Sequence, residues 1–280
     1  MLRSASFLVQ RFVLGRQTLL ARAQGFDLEL RVPARDSAGA RIYCDGMHAP
    51  EVADFLVTGL DLRAGDLVFD IGASVGWYSL LLAEVAPRGT RIHAFEPDPW
   101  ACGMLQENVS RNRADAVTVV AAALGERSGP ARLHLHGARR RRRGGLAWLS
   151  GPEGVDIEML RLDDYCRERK LRRRTVGLLK IGVQGFEFFA LRGARETLAC
   201  CRAVLTEFAP RQQELAGVHP VAMLDLLVEH GFSPAVIEAG GLREVSRAEL
   251  LAERPCCNLL WRRRTTPAAA APPDPDALAI

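Results

Sequence analysis

The sequence predicts an α/β fold in which a mostly parallel β-sheet carries helices on both faces. The first observation is that short apolar strands alternate with helices, as in the run from "DLVFDIG" through "VGWYSLLLAEVA" to "RIHAFEP". The second is that these strands are almost continuously apolar, which is typical of parallel strands covered on both sides. The third is size, because 280 residues with 48% hydrophobic content suffice for one large core.

The N-terminal region is predicted to form a cap ahead of this alternating pattern. Arginines interrupt every apolar run in the first 25 residues, so neither a signal peptide nor a transmembrane segment is expected. We interpret this stretch as an amphipathic cap helix. Because it holds no acid before Asp27, a transit peptide and a membrane-surface helix remain open. Residues 27–45 are typical of short strands or a hairpin, and residues 49–60 of a helix.

The regular part of the chain follows from residue 66 onward. Strands are expected at residues 66–72, 91–97, 117–125, 176–182, 202–208, 232–239 and 256–263. Helices are expected at residues 75–86, 99–112, 185–199 and 219–231. An insertion-like region between the third and fourth strands has an exposed strand at residues 131–137 and a strand entering a helix at residues 154–170. The expected units are therefore an N-terminal cap with short strands (1–48), the main domain (49–264) and a disordered Pro- and Ala-rich tail (265–280).

Charge and cysteine content limit the classes of function. The formal net charge is +4, with the excess of Lys and Arg held in arginine clusters, which hints at an anionic partner without requiring one. Seven cysteines occur without any CxxC spacing, which supports neither a zinc site nor a disulfide framework, so we expect a reducing cytoplasm. His134 and His136 share one face of a predicted strand, but no third ligand follows in register, so no metal site is predicted.

The first strand-to-helix turn, in "FDIGASVGWYS", is a candidate binding site for a cofactor. Asp70 ends the strand, and Gly72, Ala73 and Gly76 lie in the turn, where glycines let a ligand approach backbone amides. A tight turn without a ligand is the alternative. Glu96 favours binding, because it follows Gly72 by 24 residues and stands at the end of the second strand, where an acid can accept hydrogen bonds from both ribose hydroxyls.

The charged groups of the candidate cofactors, compared with the residues of this turn, indicate which adenosine cofactor binds. NAD and FAD carry a pyrophosphate, which suits the exposed helix amides of a GxGxxG fingerprint, whereas this turn has the spacing GxxxG. An acid at Asp70 would repel a pyrophosphate and suit an ammonium and a sulfonium group. The sequence therefore favours S-adenosylmethionine over a dinucleotide.

An ordered set of motifs resembles the FkbM family of S-adenosylmethionine-dependent O-methyltransferases. The motifs are "VFDIGASVGWYS", "AFEPDP", "VVAAALGERSG", "RLDDY", "LLKIGVQGFEFFALRGA" and "VLTEF", spread over about residues 50–262. The resemblance implies a Rossmann-like, seven-stranded, mostly parallel sheet of the class I methyltransferase type, with an antiparallel last strand. It also implies methyl transfer to a hydroxyl of a small-molecule, sugar or natural-product acceptor.

The resemblance also assigns residues to the cofactor S-adenosyl-L-methionine. It implies that Asp70, Gly72, Ala73 and Gly76 surround the methionine moiety and that Glu96 holds the ribose. It further implies that two residues at the end of the third strand lie beside the adenine; they are Ala123 and Leu124.

The chain departs from the family pattern at Gly182. The family pattern after this strand is lysine, an apolar residue, Asp, an apolar residue, Glu or Gln, then Gly. Lys180, Val183, Gln184 and Gly185 fit, but Gly182 stands where the Asp is expected. A carboxylate there would accept the proton of the hydroxyl or help to hold a metal ion, and glycine does neither.

Three other acids are candidates to assist deprotonation: Asp163, Glu187 and Glu207. Each also has a structural interpretation. Asp163 fits an N-cap of the helix around Tyr165, Glu187 fits a charge at the positive end of its helix, and Glu207 fits a partner for an arginine. Lys180 falls in an apolar strand, so we expect it to contact an acid or the substrate.

Two other functions remain open at this point. A non-catalytic S-adenosylmethionine-binding protein would follow if the loss of the acid at Gly182 abolished the reaction. An RNA methyltransferase would use the basic run Arg139 to Arg143, but no aromatic residues alternate with these arginines, so a nucleic acid is not the expected partner. The preferred hypothesis is an O-methyltransferase with a hydroxylated small-molecule acceptor; the oligomeric state is not predicted.

Overall fold

The computed structural model describes residues 2–135, 147–148, 154–171 and 174–263. His136, the run Arg139 to Arg143 and the predicted tail at 265–280 lie outside these residues. None of the helices in the described ranges is long and apolar enough to cross a membrane.

The described residues form eleven α-helices and fourteen strands. The helices are α1 (Leu2–Leu8), α2 (Ser37–Asp45), α3 (Pro50–Asp54), α4 (Trp77–Val85), α5 (Pro99–Arg111), α6 (Leu162–Glu168), α7 (Glu187–Arg192), α8 (Arg195–Ala199), α9 (Pro210–Leu215), α10 (Pro220–Glu229) and α11 (Arg247–Glu253). The strands are β1 (Thr18–Arg22), β2 (Glu29–Pro33), β3 (Leu67–Ile71), β4 (Arg91–Phe95), β5 (Val117–Val120), β6 (Ala123–Leu124), β7 (Gly129–Leu135), β8 (Ala147–Trp148), β9 (Val155–Leu160), β10 (Val176–Ile181), β11 (Cys201–Phe208), β12 (Phe232–Glu238), β13 (Gly241–Glu244) and β14 (Cys257–Arg263). Single π-helical turns continue α1 (Val9–Val13) and α3 (Phe55–Gly59).

The main sheet has eight strands in the order β13-β12-β14-β11-β10-β3-β4-β5. Strands β11, β10, β3, β4 and β5 run parallel, and the last strand, β14, lies antiparallel between β11 and β12. The predicted fold class is confirmed, with β13 added at one edge as the second arm of a hairpin. The chain order reverses between β3 and β10, and such a switch point opens a crevice at the carboxyl ends of the strands.

Helices and side chains cover both faces of this sheet. Successive residues of β3 point to opposite sides, so Val68 belongs to one buried cluster and Phe69 to the other. The first cluster includes Leu80 of α4, and the second includes Leu191 of α7 and Trp261 of β14. The near-continuous apolar strands thus fill two cores, as the sequence predicted.

The strand expected at residues 117–125 is divided between two sheets. β5 stays in the main sheet, whereas β6 pairs with β9 in a four-stranded sheet of order β6-β9-β7-β8. The predicted helix at residues 185–199 is likewise two short helices, which are separated at Gly193. A Cβ atom at Gly193 would lie 2.0 Å from the carbonyl oxygen of Gly125, so only glycine permits this contact.

The N-terminal region differs most from expectation. The predicted cap helix ends at residue 13, and β1 follows because Leu19 and Ala21 alternate into the core and pair with β2. The hairpin expected to extend to residue 45 gives way to α2, which begins where the Asp36 carboxylate accepts a hydrogen bond from the Gly39 amide. The region packs into the same core as α4 and α5.

Asn108 of α5 and Asn112, which follows the last residue of α5, attach the N-terminal region to the main sheet. Asn108 Oδ1 accepts a hydrogen bond of 2.6 Å from the Arg31 amide, and Asn112 Oδ1 accepts one of 2.9 Å from the Glu29 amide. Asn108 also donates to the carbonyl of Val75, within the glycine turn. The N-terminal region is therefore held against the start of α4.

A buried histidine makes the stability of the fold depend on pH. His93 of β4 is 7% exposed, with Nδ1 2.9 Å from the hydroxyl of Tyr165, and burial lowers the pKa of His93 to about 4. The neutral, buried ring of His93 contributes fully to the free energy of unfolding above the pKa that histidine has in the unfolded chain. This contribution is lost as the pH falls toward 4, because the unfolded chain then binds a proton that the folded chain does not. Relative to His93→Gln, the wild type should lose about 2 kcal/mol of unfolding free energy between about pH 7 and about pH 5. Urea titrations of both proteins measure this difference, and a constant difference would refute the assignment.

Candidate active-site cleft

A cleft of about 670 Å³ opens at the carboxyl ends of β3, β4, β10 and β11. Its walls include the glycine turn after β3, the loop after β10 and residues of α2 and α3. It therefore lies at the switch point of the sheet, where α/β proteins bind their ligands.

The glycine turn brings backbone atoms directly against the cleft. Gly72 has φ +76°, and a Cβ atom there would lie 2.3 Å from the carbonyl oxygen of Gly182, so the ends of β3 and β10 meet through this glycine. Ala73 follows and lines the cleft. Gly76 has φ +91° and lies behind the turn, where a Cβ atom would be 2.5 Å from Leu105. Gly72 and Ala73 thus form the cleft wall, and Gly76 permits Leu105 of α5 to pack behind it.

Glu96 connects the two turns that border the cleft. One carboxylate oxygen accepts a hydrogen bond of 2.8 Å from the Ser74 amide, and the other accepts one of 2.9 Å from the Asp98 amide. The side chain lines the cleft but is 8% exposed, and burial raises the pKa of Glu96 to about 7. Ala123 and Leu124 border the same cleft, so the sequence-predicted ribose and adenine residues come together.

Asp70 lies beneath the cleft and does not line it. Its side chain is fully buried, with one oxygen 2.8 Å from Lys180 Nζ and the other accepting a hydrogen bond of 2.6 Å from the Ser79 hydroxyl. The expectation that Asp70 faces the cofactor's charged groups is corrected, because the carboxylate is buried away from the cleft and paired with Lys180. The expectation that Lys180 contacts an acid is confirmed.

Lys180 joins β10 to the glycine turn. Its ammonium group contacts the carbonyl oxygen of Gly72 at 3.1 Å and that of Ile71 at 3.5 Å, in addition to Asp70. It also lies 5.1 Å from the centre of the Tyr78 ring. These three oxygen partners match the three donors of an ammonium group, so Lys180 positions the turn.

Removing Lys180 should therefore destabilise the protein. Lys180→Met leaves the buried Asp70 carboxylate without its cation, which we expect to cost about 3 kcal/mol of unfolding free energy. The double variant Asp70→Asn with Lys180→Met removes both charges and should recover most of that loss. Chemical denaturation of the three proteins measures both effects, and an unchanged single variant would contradict this role.

Asp163 is not part of the cleft. It lies beside the amino ends of the strands, near Leu67 and Val176. Its carboxylate accepts hydrogen bonds from the amides of Glu196 and Thr197 and from the Thr197 hydroxyl. Asp163 thus caps α8, not the helix around Tyr165, and it is removed from the catalytic candidates.

Glu187 supports the loop that follows β10. It is 1% exposed and accepts hydrogen bonds from the amides of Val183 and Gly185 at 2.9 to 3.1 Å. Burial raises the pKa of Glu187 to about 7. The loop backbone stands between this carboxylate and the cleft, so direct contact with an acceptor is not supported; Glu187 is a positioning residue.

Glu207 is the candidate acid that does line the cleft. It stands near the carboxyl end of β11 and is partly exposed. Within the described residues its polar contact is the Cys256 thiol, 3.8 Å from Oε1, and no arginine pairs with it. Its carboxylate is therefore open to a ligand.

Gly182 stands opposite the glycine turn, with the Lys180 side chain close beside it. A Cβ atom there would lie 3.2 Å from Lys180 Nζ and 3.3 Å from Lys180 Cε. The departure from the family pattern thus removes an acid from the cleft wall without distorting the backbone.

The sequence reasoning missed the residues that the N-terminal region contributes to the cleft. Arg41, His48 and Glu51 line it, as does Tyr78 of α4. The His48 ring centre lies 6.2 Å from that of Tyr78, and burial, reinforced by Arg41 and Lys180, lowers the pKa of His48. No local motif marks these residues, since only the packing of α2 and α3 brings them to the cleft. No group of three or more His, Cys, Asp or Glu in the described part of the chain could hold a metal ion.

The antiparallel strand within a parallel sheet and the glycine-lined cleft at the switch point define a class I methyltransferase domain. A family model for the methyltransferase FkbM domain matches residues 70–234. The chain therefore belongs to the FkbM methyltransferase family and is a methyltransferase.

Two curated relatives are similar over much of their length. The 2-O-methyltransferase NoeI of Sinorhizobium fredii is 29% identical over 177 residues, which cover 58% of this chain and 70% of that protein. The 31-O-demethyl-FK506 methyltransferase FkbM of Streptomyces tacrolimicus is 28% identical over 213 residues, which cover 64% of this chain and 77% of that protein.

Two solved structures also resemble the chain. Methyltransferase FkbM from Methylobacillus flagellatus is 20% identical with a TM-score of 0.46, and the match covers 78% of this chain and 49% of that one. The O-methyltransferase from Bacillus cereus in complex with SAH is 12% identical with a TM-score of 0.45, and the match covers 78% of this chain and 83% of that one.

Proposed function

We propose that the chain transfers the methyl group of S-adenosylmethionine to a hydroxyl oxygen of a small-molecule, sugar or natural-product acceptor. The observation that carries the proposal is the meeting of Gly72, Glu96 and Glu207 around one cleft. The printed names of the two curated relatives, a 2-O-methyltransferase and a 31-O-demethyl-FK506 methyltransferase, support oxygen as the acceptor atom. We also propose a reducing, cytoplasmic setting, from the odd number of cysteines and the lack of CxxC spacing.

The residues of the cleft fit this cofactor. Gly72 and Ala73 form a cleft wall without a large side chain, which suits the amino-acid end of a cofactor that needs no pyrophosphate site. The Glu96 carboxylate suits the ribose hydroxyls, and the apolar pair Ala123 and Leu124 suits the adenine ring. Asp70 acts indirectly, by holding Lys180 against the turn.

The bound cofactor supplies an electrophilic methyl group on a sulfonium. The chain's own contribution is to hold the acceptor oxygen in line with that carbon and to remove its proton. Glu207 is the proposed base, because it is the sequence-predicted acid that reaches the cleft without a cationic partner among the described residues. Glu207 would accept the hydroxyl proton, and the carbon–sulfur bond of the donor would break as the oxygen–carbon bond formed, so that the products are the methyl ether, S-adenosylhomocysteine and the protonated Glu207.

The cleft also suggests the kind of acceptor. Its N-terminal side combines Arg41, His48 and Glu51 with the aromatic rings of Tyr78 and Phe186. Hydrogen-bonding groups of both charge signs next to aromatic faces suit a polyhydroxylated, partly apolar molecule such as a glycoside. The RNA alternative depends on Arg139 to Arg143, outside the described residues, and we do not propose it.

The test is release of S-adenosylhomocysteine in the presence of a panel of glycosides and polyketide alcohols. Turnover with at least one alcohol, giving a methyl ether by mass spectrometry, supports the proposal. Donor binding without turnover on any acceptor would favour the non-catalytic alternative that Gly182 raises. In that case Gly182→Asp is the decisive variant, because its Cβ atom would contact the flexible end of the Lys180 side chain and no backbone atom within 4 Å. Restored turnover would show that the reaction had lacked this acid.

A further inference from the structure

The outer face of the first helix is an exposed apolar surface. Five side chains of α1 and the residues that follow it form what we term the N-terminal apolar face: Leu8, Val9, Phe12, Val13 and Leu14. They are 48% to 74% exposed. Of the nine large apolar side chains that are exposed in the described residues, these five and the nearby Leu20 make six. Single exposed apolar side chains are normal on a protein surface, whereas a contiguous group of them marks an interaction site.

The opposite side of the same helix is fixed to the protein. Phe7 is buried, and its ring centre lies 5.8 Å from that of Tyr43 in α2. The Tyr43 hydroxyl is 2.6 Å from Gln10 Nε2, which donates to it, and 3.1 Å from the Ser6 hydroxyl. The helix is therefore docked on α2 by one side, and its apolar outer face is left to solvent.

Three arginines belong to the same N-terminal segment, and one of them borders the apolar face. Arg3, Arg11 and Arg16 form no ion pair with another described residue, and the first acid of the chain is Asp27. The guanidinium of Arg11 lies 4.7 Å from the centre of the Phe12 ring, at the edge of the apolar surface. An apolar stripe bordered by unpaired arginines matches a bilayer boundary, where acyl chains meet anionic headgroups.

We propose that the N-terminal apolar face binds the surface of an anionic lipid bilayer, with the helix in the plane of the headgroups. A second copy of the chain is the weaker occupant, because a symmetric contact would bring the arginines of both copies together without an acid in either face. The surface is separate from the cleft, so this proposal does not depend on the proposed methyl transfer.

Co-sedimentation with vesicles tests the proposal. The full chain is mixed with vesicles of equal parts phosphatidylglycerol and phosphatidylcholine, and separately with vesicles of phosphatidylcholine alone. We expect binding at least about tenfold stronger to the anionic vesicles, and weaker binding as salt rises from about 0.05 M to about 0.5 M.

Two variants distinguish binding through the N-terminal apolar face from non-specific adsorption to the vesicles. The double variant Phe12→Asp with Val13→Asp should lower vesicle binding by at least about tenfold, since it places two negative charges on the face that would enter the boundary between headgroups and acyl chains. Leu215→Asp is the matched control: Leu215 is an exposed leucine of α9, away from the N-terminal helix, and its variant should bind like the wild type. Circular dichroism and thermal melting confirm that both variants fold.

Three results would overturn the proposal. They are no binding of the folded wild type to the anionic vesicles, equal binding by the double aspartate variant, and equal loss of binding in the Leu215→Asp control. A dimer in sedimentation velocity that the double variant dissociates, with no vesicle binding, would identify a second copy as the occupant instead.

Discussion

Replacing Glu207 with glutamine is expected to lower kcat by about two to four powers of ten, with the donor affinity unchanged. The amide keeps the shape of the side chain but cannot accept the hydroxyl proton, and a positioned base contributes about that much. Glu207 lines the cleft and lacks an ion pair with any other described residue, so its loss should not unfold the chain. The measurement is single-turnover release of S-adenosylhomocysteine with an acceptor found in the panel.

His48 provides the comparison for this prediction. It also lines the cleft, and its lowered pKa keeps the ring neutral near neutral pH, so it too is able to accept a proton. A normal rate in Glu207→Gln together with a loss of rate in His48→Gln would transfer the role of base to His48. Loss in Glu207→Gln alone would confirm the assignment.

Replacing Glu96 with alanine should weaken donor binding by roughly tenfold to a hundredfold. The reason is that the ribose hydroxyls would lose a charged acceptor, which costs about 1 to 3 kcal/mol. Ser74 and Asp98 would also lose the partner of their backbone amides. Isothermal titration with S-adenosylmethionine measures the effect, and affinity unchanged within about twofold would contradict the site.

The pH dependence of binding gives an independent check on Glu96. Burial raises the pKa of Glu96 to about 7, and the ionised form is the better acceptor for two hydroxyls. Donor affinity in the wild type should therefore increase as the pH rises through about 7 and level off about one pH unit above that value. Glu96→Gln should bind more weakly and lose this part of the pH dependence, since its side chain does not titrate.

The features predicted from sequence are those encoded over short distances. The glycine turn and Glu96 were recognised because strand, turn and acid follow one another within one βαβ unit, and the structure brings Gly72 and Glu96 to the same cleft. The place of Lys180 in an apolar strand predicted contact with an acid or the substrate, and the structure pairs it with Asp70 on the adjacent strand.

Features that depend on distant contacts were beyond sequence reasoning. The sequence makes Asp163 a plausible base, but in the structure its carboxylate accepts hydrogen bonds from the amide and hydroxyl of Thr197, which lies on a different helix. His48 reaches the cleft only because the N-terminal region packs on α5, through hydrogen bonds such as that of Asn108 to Arg31. The split of residues 117–125 likewise depends on the pairing of β6 with β9, which is remote in the chain.

The central claim is that the cleft binds S-adenosylmethionine, and titration calorimetry of the wild-type protein tests it most directly. We expect micromolar affinity for S-adenosylmethionine and S-adenosylhomocysteine, and no measurable binding of NAD. A folded protein that binds neither sulfur-containing ligand, or that binds NAD instead, would contradict it.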